Sequence, residues 1–297
     1  VDEELRRSLR EGNLGAATLL RRAGRVDEAL DFLEGLWGEG SAEAGRQLIE
    51  MVVGWPASER LRHATRLDRL SVRGLGEAER LWREWFPAAA RILGKSGAAL
   101  GLRAFLYENA SGETPVVFLG ESGVGGAMAA LALSELSGRE CVPIAESPVA
   151  REIFRYELAT LPRRGATLFV SHALAGPWED DVLDRARETG ARLVVRSNSA
   201  RERHTRRLIS SSNVFEVAPL RERREDLRAL VELFMAAPLP DGSKPALEVT
   251  DDAWEVLRGH RFPGNVRELR NWIWRARMFA RRGVITRDTL PTVVELS

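Results

Sequence analysis

Residues 120–127 read G-E-S-G-V-G-G-A, with glycines at 120, 123 and 125, directly after an apolar run and before a helical one. Glycines so placed allow the tight backbone path that turns consecutive N–H groups, and the positive end of the following helix, toward a phosphate. The shape is that of a phosphate-binding loop, and its candidate contacts are Gly120, Glu121, Ser122, Gly123, Val124, Gly125 and Gly126. A working loop of the form G-x-x-x-x-G-K-[ST] carries lysine where this chain has Gly126 and a hydroxyl where it has Ala127. A charge-assisted hydrogen bond contributes about 1.5–3 kcal/mol, so the missing lysine weakens nucleotide binding by about ten- to a hundredfold. Returning a lysine to position 126 is accordingly expected to raise affinity by about tenfold. A Gly-rich turn that binds nothing produces the same local pattern, so the surrounding elements must decide between the two.

Those elements alternate. Residues 116–120 are a short buried strand, 166–170 and 192–196 are further strands, and residues 127–136 are helical, which predicts an α/β fold with a parallel sheet between helices. From residue 220 the chain turns helical, broken at the Pro- and Gly-bearing stretch 238–245. Residues 1–90 show helical spacing throughout, and residues 16–37 resemble a tetratricopeptide helix–turn–helix with Gly24 at the turn. An unrelated helical bundle fits them equally. The expected division is a helical, TPR-like interaction domain at 1–90, an α/β nucleotide-binding-fold subdomain at 91–218 and a helical lid at 219–297.

Composition sets the outer bounds. A chain of 297 residues with 44% hydrophobic content can bury a full core and holds about two domains. Its 44 Lys and Arg nearly balance 43 Asp and Glu, and a formal charge of +1 gives no global electrostatic case for nucleic acid or an anionic membrane. Cys141 alone can form neither an intramolecular disulfide nor a cysteine metal site, and fits a reducing compartment. No run approaches the roughly 18 apolar residues of a membrane span, and the first residues lack a signal-peptide core, so a cytoplasmic location is expected.

Taken together, the motifs over residues 91–291 resemble the AAA+ domain of bacterial enhancer-binding proteins, the activators of the sigma-54 class. I-L-G-K-S at 92–96, G-E-S-G-V-G at 120–125, E-I-F-R-Y-E at 152–157 and G-A-T-L-F-V at 165–170 follow the family's order. R-L-V-V-R-S-N at 192–198 is similar to its sensor I strand and implies a nucleotide contact at Asn198. P-L-R-E-R-R-E-D-L at 219–227 and F-P-G-N-V-R-E-L at 262–269 are similar to the lid motifs, the second placing Arg267 at sensor II.

The departures carry the functional expectation. Where the family has an acidic pair for the metal and the attacking water, this chain has Ser171 and His172. Such hydrolysis relies on Mg²⁺ and an oriented water, so the loss of Lys, Asp and Glu together removes most of the machinery. A lone His has no ligand set around it, and His172 is read as structural. Only L-A-T-L-P-R-R joins Glu157 to Gly165, so the family's sigma-factor contact loop is deleted. Arg206 and Arg207 are the nearest counterparts of its trans-acting arginines, but an Arg-rich run of this kind reads first as a solvated face. No DNA-binding helix pair follows the lid before Ser297, and direct DNA binding is not expected. The expectation is a non-catalytic AAA+ regulator or scaffold that requires no cofactor and reaches an unidentified protein through residues 1–90. A second copy, or another AAA+ protein, is a further expected associate. The alternative is a sensor that binds ATP or ADP weakly and hydrolyses poorly.

Overall fold

The computed structural model describes residues 2–144, 165–171, 184, 186–198, 209–237, 248–280 and 282–291. Tertiary contacts divide the chain into two units, Val1–Trp85 and Phe86–Ser297.

In the first unit the described residues form helices α1 (Asp2–Arg10), α2 (Gly15–Arg22), α3 (Val26–Gly38), α4 (Ala42–Val53), α5 (Ala57–Arg60), α6 (Ala64–Val72) and α7 (Gly76–Trp85). Small residues let the pairs approach: Ala16, Ala17 and Leu20 of α2 are buried, as are Ala29, Leu30 and Leu33 of α3. The α2–α3 turn closes with Gly24 N donating to Arg21 O (3.1 Å) and Arg25 N to Leu20 O (2.9 Å). The α6–α7 turn repeats this pair of bonds, Gly74 N to Ser71 O and Leu75 N to Leu70 O. The two hairpins are therefore alike, but Gly24 and Gly74 stand further apart than the roughly 34-residue tetratricopeptide period.

The second unit begins with α8 (Pro87–Ala90) and α9 (Gly97–Asn109), then β1 (Val116–Leu119), α10 (Gly126–Leu136), β2 (Glu140–Ile144), β3 (Ala166–Ser171), β4 (Arg192–Ser197) and β5 (Asn213–Glu216). The helical region expected to close at residue 90 closes at Trp85, because Ala88 of α8 and Ile92 pack into the core beside the sheet. The strands pair in parallel in the order β2-β3-β4-β1-β5. Val116 and Phe118 of β1 face a cluster with Leu106 and Leu133, while Val117 faces another with Leu168 and Val195. Burial on both faces explains the unbroken apolar run of β1.

Beyond the sheet lie α11 (Leu227–Ala236), α12 (Asp251–Gly259) and α13 (Asn265–Phe279), with the short pair β6 (Glu248–Val249) and β7 (Val284–Ile285). Their core gathers Leu227, Val231, Leu257, Leu269, Ile273 and Ile285. This is the lid. No described helix is long and apolar enough to cross a membrane.

Candidate phosphate site between loop and lid

The glycine-rich loop leaves β1 at the carboxyl end of the sheet, where parallel strands place their ligands. Gly120 N donates to Ser197 O (3.0 Å), tying the loop to the end of β4. Gly125, in the left-handed region at φ 113°, caps α10 without a side-chain cap, and the first ladder bond runs from Ala129 N to Gly125 O (3.0 Å). The amides of the first turn have no acceptor within the helix and carry its positive pole.

Lid side chains hold the loop from outside. Arg221 forks onto Glu121, with Nη1 donating to Oε2 (2.7 Å) and Nη2 to Oε1 (2.6 Å). Asn265 Nδ2 donates to Glu121 Oε2 and to Ser122 O, both at 3.1 Å. The Arg221 and Asn265 hydrogen bonds pull the Glu121 carboxyl down to about 2. Arg267 Nη1 donates to Ser122 Oγ (3.2 Å), and Arg223 Nη2 donates to Val124 O (2.7 Å). Gly123, at φ 82°, lies so close to the lid that a Cβ there would overlap the carbonyl oxygen of Gly264. A second tie joins Asp226, fully buried, to the segment before α9: Oδ1 accepts from Lys95 N (2.8 Å) and Ser96 N (2.9 Å), and Oδ2 from Ser96 Oγ (2.6 Å).

Between loop and lid is a cavity of about 240 Å³. Gly123, Val124, Gly125 and Gly126 form its floor, and Leu230, Leu233 and Phe234 of α11 an apolar wall. Among the described residues five arginines line it, Arg91, Arg196, Arg223, Arg267 and Arg270, and no carboxylate does. Arg91 is paired outward to Glu135. Arg223 is buried, which pushes its pKa down, and its Nε has no hydrogen-bond partner among the described residues. Arg196, only 6% exposed, crosses over Gly126, where a Cβ would stand 3.0 Å from its Cγ and 3.1 Å from its Cδ. Its Nη2 donates to Asn198 Oδ1 (3.1 Å). An apolar wall beside a ring of cationic side chains suits a ligand with a flat apolar part and an anionic tail.

Residues 221–296 match the AAA+ ATPase lid domain. The chain is 30% identical over 233 residues to the response regulator protein PilR of Pseudomonas aeruginosa, covering 64% of this chain and 52% of that one. It is 29% identical over 270 residues to the Nif-specific regulatory protein of Azospirillum brasilense, covering 74% and 42%. The structure of NtrX from Brucella abortus in complex with ADP superposes with a TM-score of 0.58 at 24% identity, covering 75% of this chain and 60% of NtrX. The chain carries an AAA+ module. It is homologous to sigma-54-type transcription regulators and spans about half the length of the relatives it matches.

Within the AAA+ module, Gly123, Val124, Gly125, Gly126 and Arg267 meet at the cavity. Gly120, Glu121 and Ser122 serve the joints to β4 and the lid instead, and exposed Asn198 touches the site through Arg196. Ser171 ends β3 as the Cα partner of Arg196. His172, Glu157, Arg206 and Arg207 lie outside the described residues. Sequence reasoning missed Arg196 and Arg223. Arg223 sits inside the quoted lid motif, while Arg196 is one of two arginines, with Arg192, in a strand that is otherwise a buried core strand.

Proposed function

We propose that this protein is a non-catalytic regulator of the sigma-54-activator lineage whose AAA+ module binds a nucleotide without turning it over and acts through protein–protein contacts. The observation that carries this reading is the lining of the cavity by the described residues: five arginines, apolar side chains and no carboxylate among them. Phosphoryl transfer to water in such sites needs a metal held on the protein and an oriented nucleophile. The described lining residues offer no oxygen-ligand set for Mg²⁺, which takes carboxylates and water, so none of them is assigned a metal. Positions 171 and 172, where the resemblance places the acidic pair, carry Ser and His. Nucleotide as the ligand is supported by the NtrX structures, determined with ADP and with ATP.

The contact loop for the sigma factor has no counterpart between Glu157 and Gly165, so the effector surface is assigned to the helical first unit, reaching a protein partner. A second copy or another AAA+ protein is the natural associate of the second unit. The test is calorimetric titration of the full chain with ADP and with ATP, paired with a phosphate-release assay. Binding without Mg²⁺-stimulated turnover is expected. Turnover near one per minute that vanishes when the loop is altered would overturn the reading, because such a rate is real catalysis.

A further inference from the structure

Gly126 and Arg196 form one device. Gly126 stands where a phosphate-binding loop carries its lysine, and the aliphatic stem of Arg196 lies over the space a side chain at 126 would need. Arg196 comes from β4, in register between Phe118 of β1 and Ser171 of β3, so the same residue neighbours the lysine position and the strand end where the acidic pair is missing. It lines the cavity alongside the first turn of α10 and is oriented by Asn198 Oδ1. Across that cavity stands Arg223, buried and held by the bond from its Nη2 to Val124 O.

We propose that Arg196, reaching from the sheet across Gly126, supplies the phosphate-binding cation in place of the loop lysine, and that the site thereby takes a nucleoside polyphosphate without a metal ion. This rests on the nucleotide-binding reading above. A guanidinium gives a planar, permanently charged fork that can bridge two phosphate oxygens, whereas lysine gives a point charge that shares the work with Mg²⁺. Glycine at 126 is then a requirement of the replacement: any larger residue takes the room the arginine occupies.

The experiment is equilibrium titration of the full chain with ADP, in EDTA and again with Mg²⁺, for wild type, Arg196→Met, Arg196→Lys and Gly126→Ala. Wild type is expected to bind equally in both buffers. Arg196→Met, which keeps the stem and removes the charge, should weaken binding on the order of ten- to a hundredfold, and Arg196→Lys should recover part of it. Gly126→Ala should weaken binding several-fold by displacing the arginine, and decides the matter alone if Arg196→Met fails to fold. Wild type that binds only with Mg²⁺, or altered chains that bind as wild type does, would overturn the proposal while leaving nucleotide binding intact. Wild type that binds no ADP would overturn the reading beneath it.

Discussion

Gly126→Lys, the change that the loop pattern alone expects to improve binding, should make this protein worse. The Cβ introduced at 126 stands 3.0 Å from Arg196 Cγ, 3.1 Å from its Cδ and 3.8 Å from Phe118 Cβ, so the space is filled before the rest of the lysine is built. Overpacking of this kind costs about 1–3 kcal/mol. Two cations about 4 Å apart repel by about 4 kcal/mol at an effective dielectric of 20, and retreat of either toward solvent relaxes part of that. Replacing glycine in the first turn of a helix returns less than about 1 kcal/mol of propensity, which does not offset the rest. The expected result is a melting temperature lower by about 2–10 °C for a module of this size and no gain in ADP affinity. The companion Gly126→Lys/Arg196→Ala relieves both terms and should restore stability and affinity together. A double-mutant cycle by calorimetry and thermal melting should then give a coupling above about 1 kcal/mol. Tenfold tighter binding by Gly126→Lys alone, at an unchanged melting temperature, would refute the reasoning.

Three further outcomes are expected. Glu121, held at about 2 by Arg221 and Asn265, contributes stability that is present above about pH 4.5 and lost as pH falls toward 2, and Glu121→Gln should remove that part of the acid limb in a melting series. The ion pair is partly exposed, so the contribution should shrink in high salt. Asp226→Ala leaves the amides of Lys95 and Ser96 and the Ser96 hydroxyl without their buried acceptor, and should destabilise the second unit by about 2–4 kcal/mol in a denaturant titration. Removing residues 1–85 should release co-purifying protein while ADP binding persists; retention of every partner would place the effector surface elsewhere.

The central strands and the glycine-rich turn after β1 could be read from the chain because burial on both faces forces apolar runs at 116–119 and 193–195. β2 and β5 escaped the same reading. Both are edge strands, so β2 carries Pro143 and β5 buries none of its four positions fully. The order of the lid motifs could be read, but their use could not: that Asn265 grips both Glu121 and Ser122 depends on a left-handed backbone at φ 54°, which no spacing reveals. Arg196 was hidden for a different reason. Nothing in one strand says that its charged residue lies over a glycine 70 positions earlier, and only the fold joins positions 126 and 196.

The departures at 126 and 171, which look like separate losses along the chain, meet at one side chain. A lysine at 126 collides with Arg196, and Arg196 is also the register partner of Ser171 at the end of β3. Restoring the lysine alone therefore restores nothing, because it presupposes that Arg196 is absent. The substitution also changes what the site can do. A cation anchored by burial and by Asn198 stabilises bound phosphate in the ground state and afterwards alike, and binding energy spent uniformly does not lower a barrier. On this reading the nucleotide is a held ligand, gripped by the sheet through Arg196 and by the lid through Arg223 and Arg267. Occupancy then reports to the lid through contacts rather than through turnover, and the size of that report is the difference in affinity between a docked and an undocked lid.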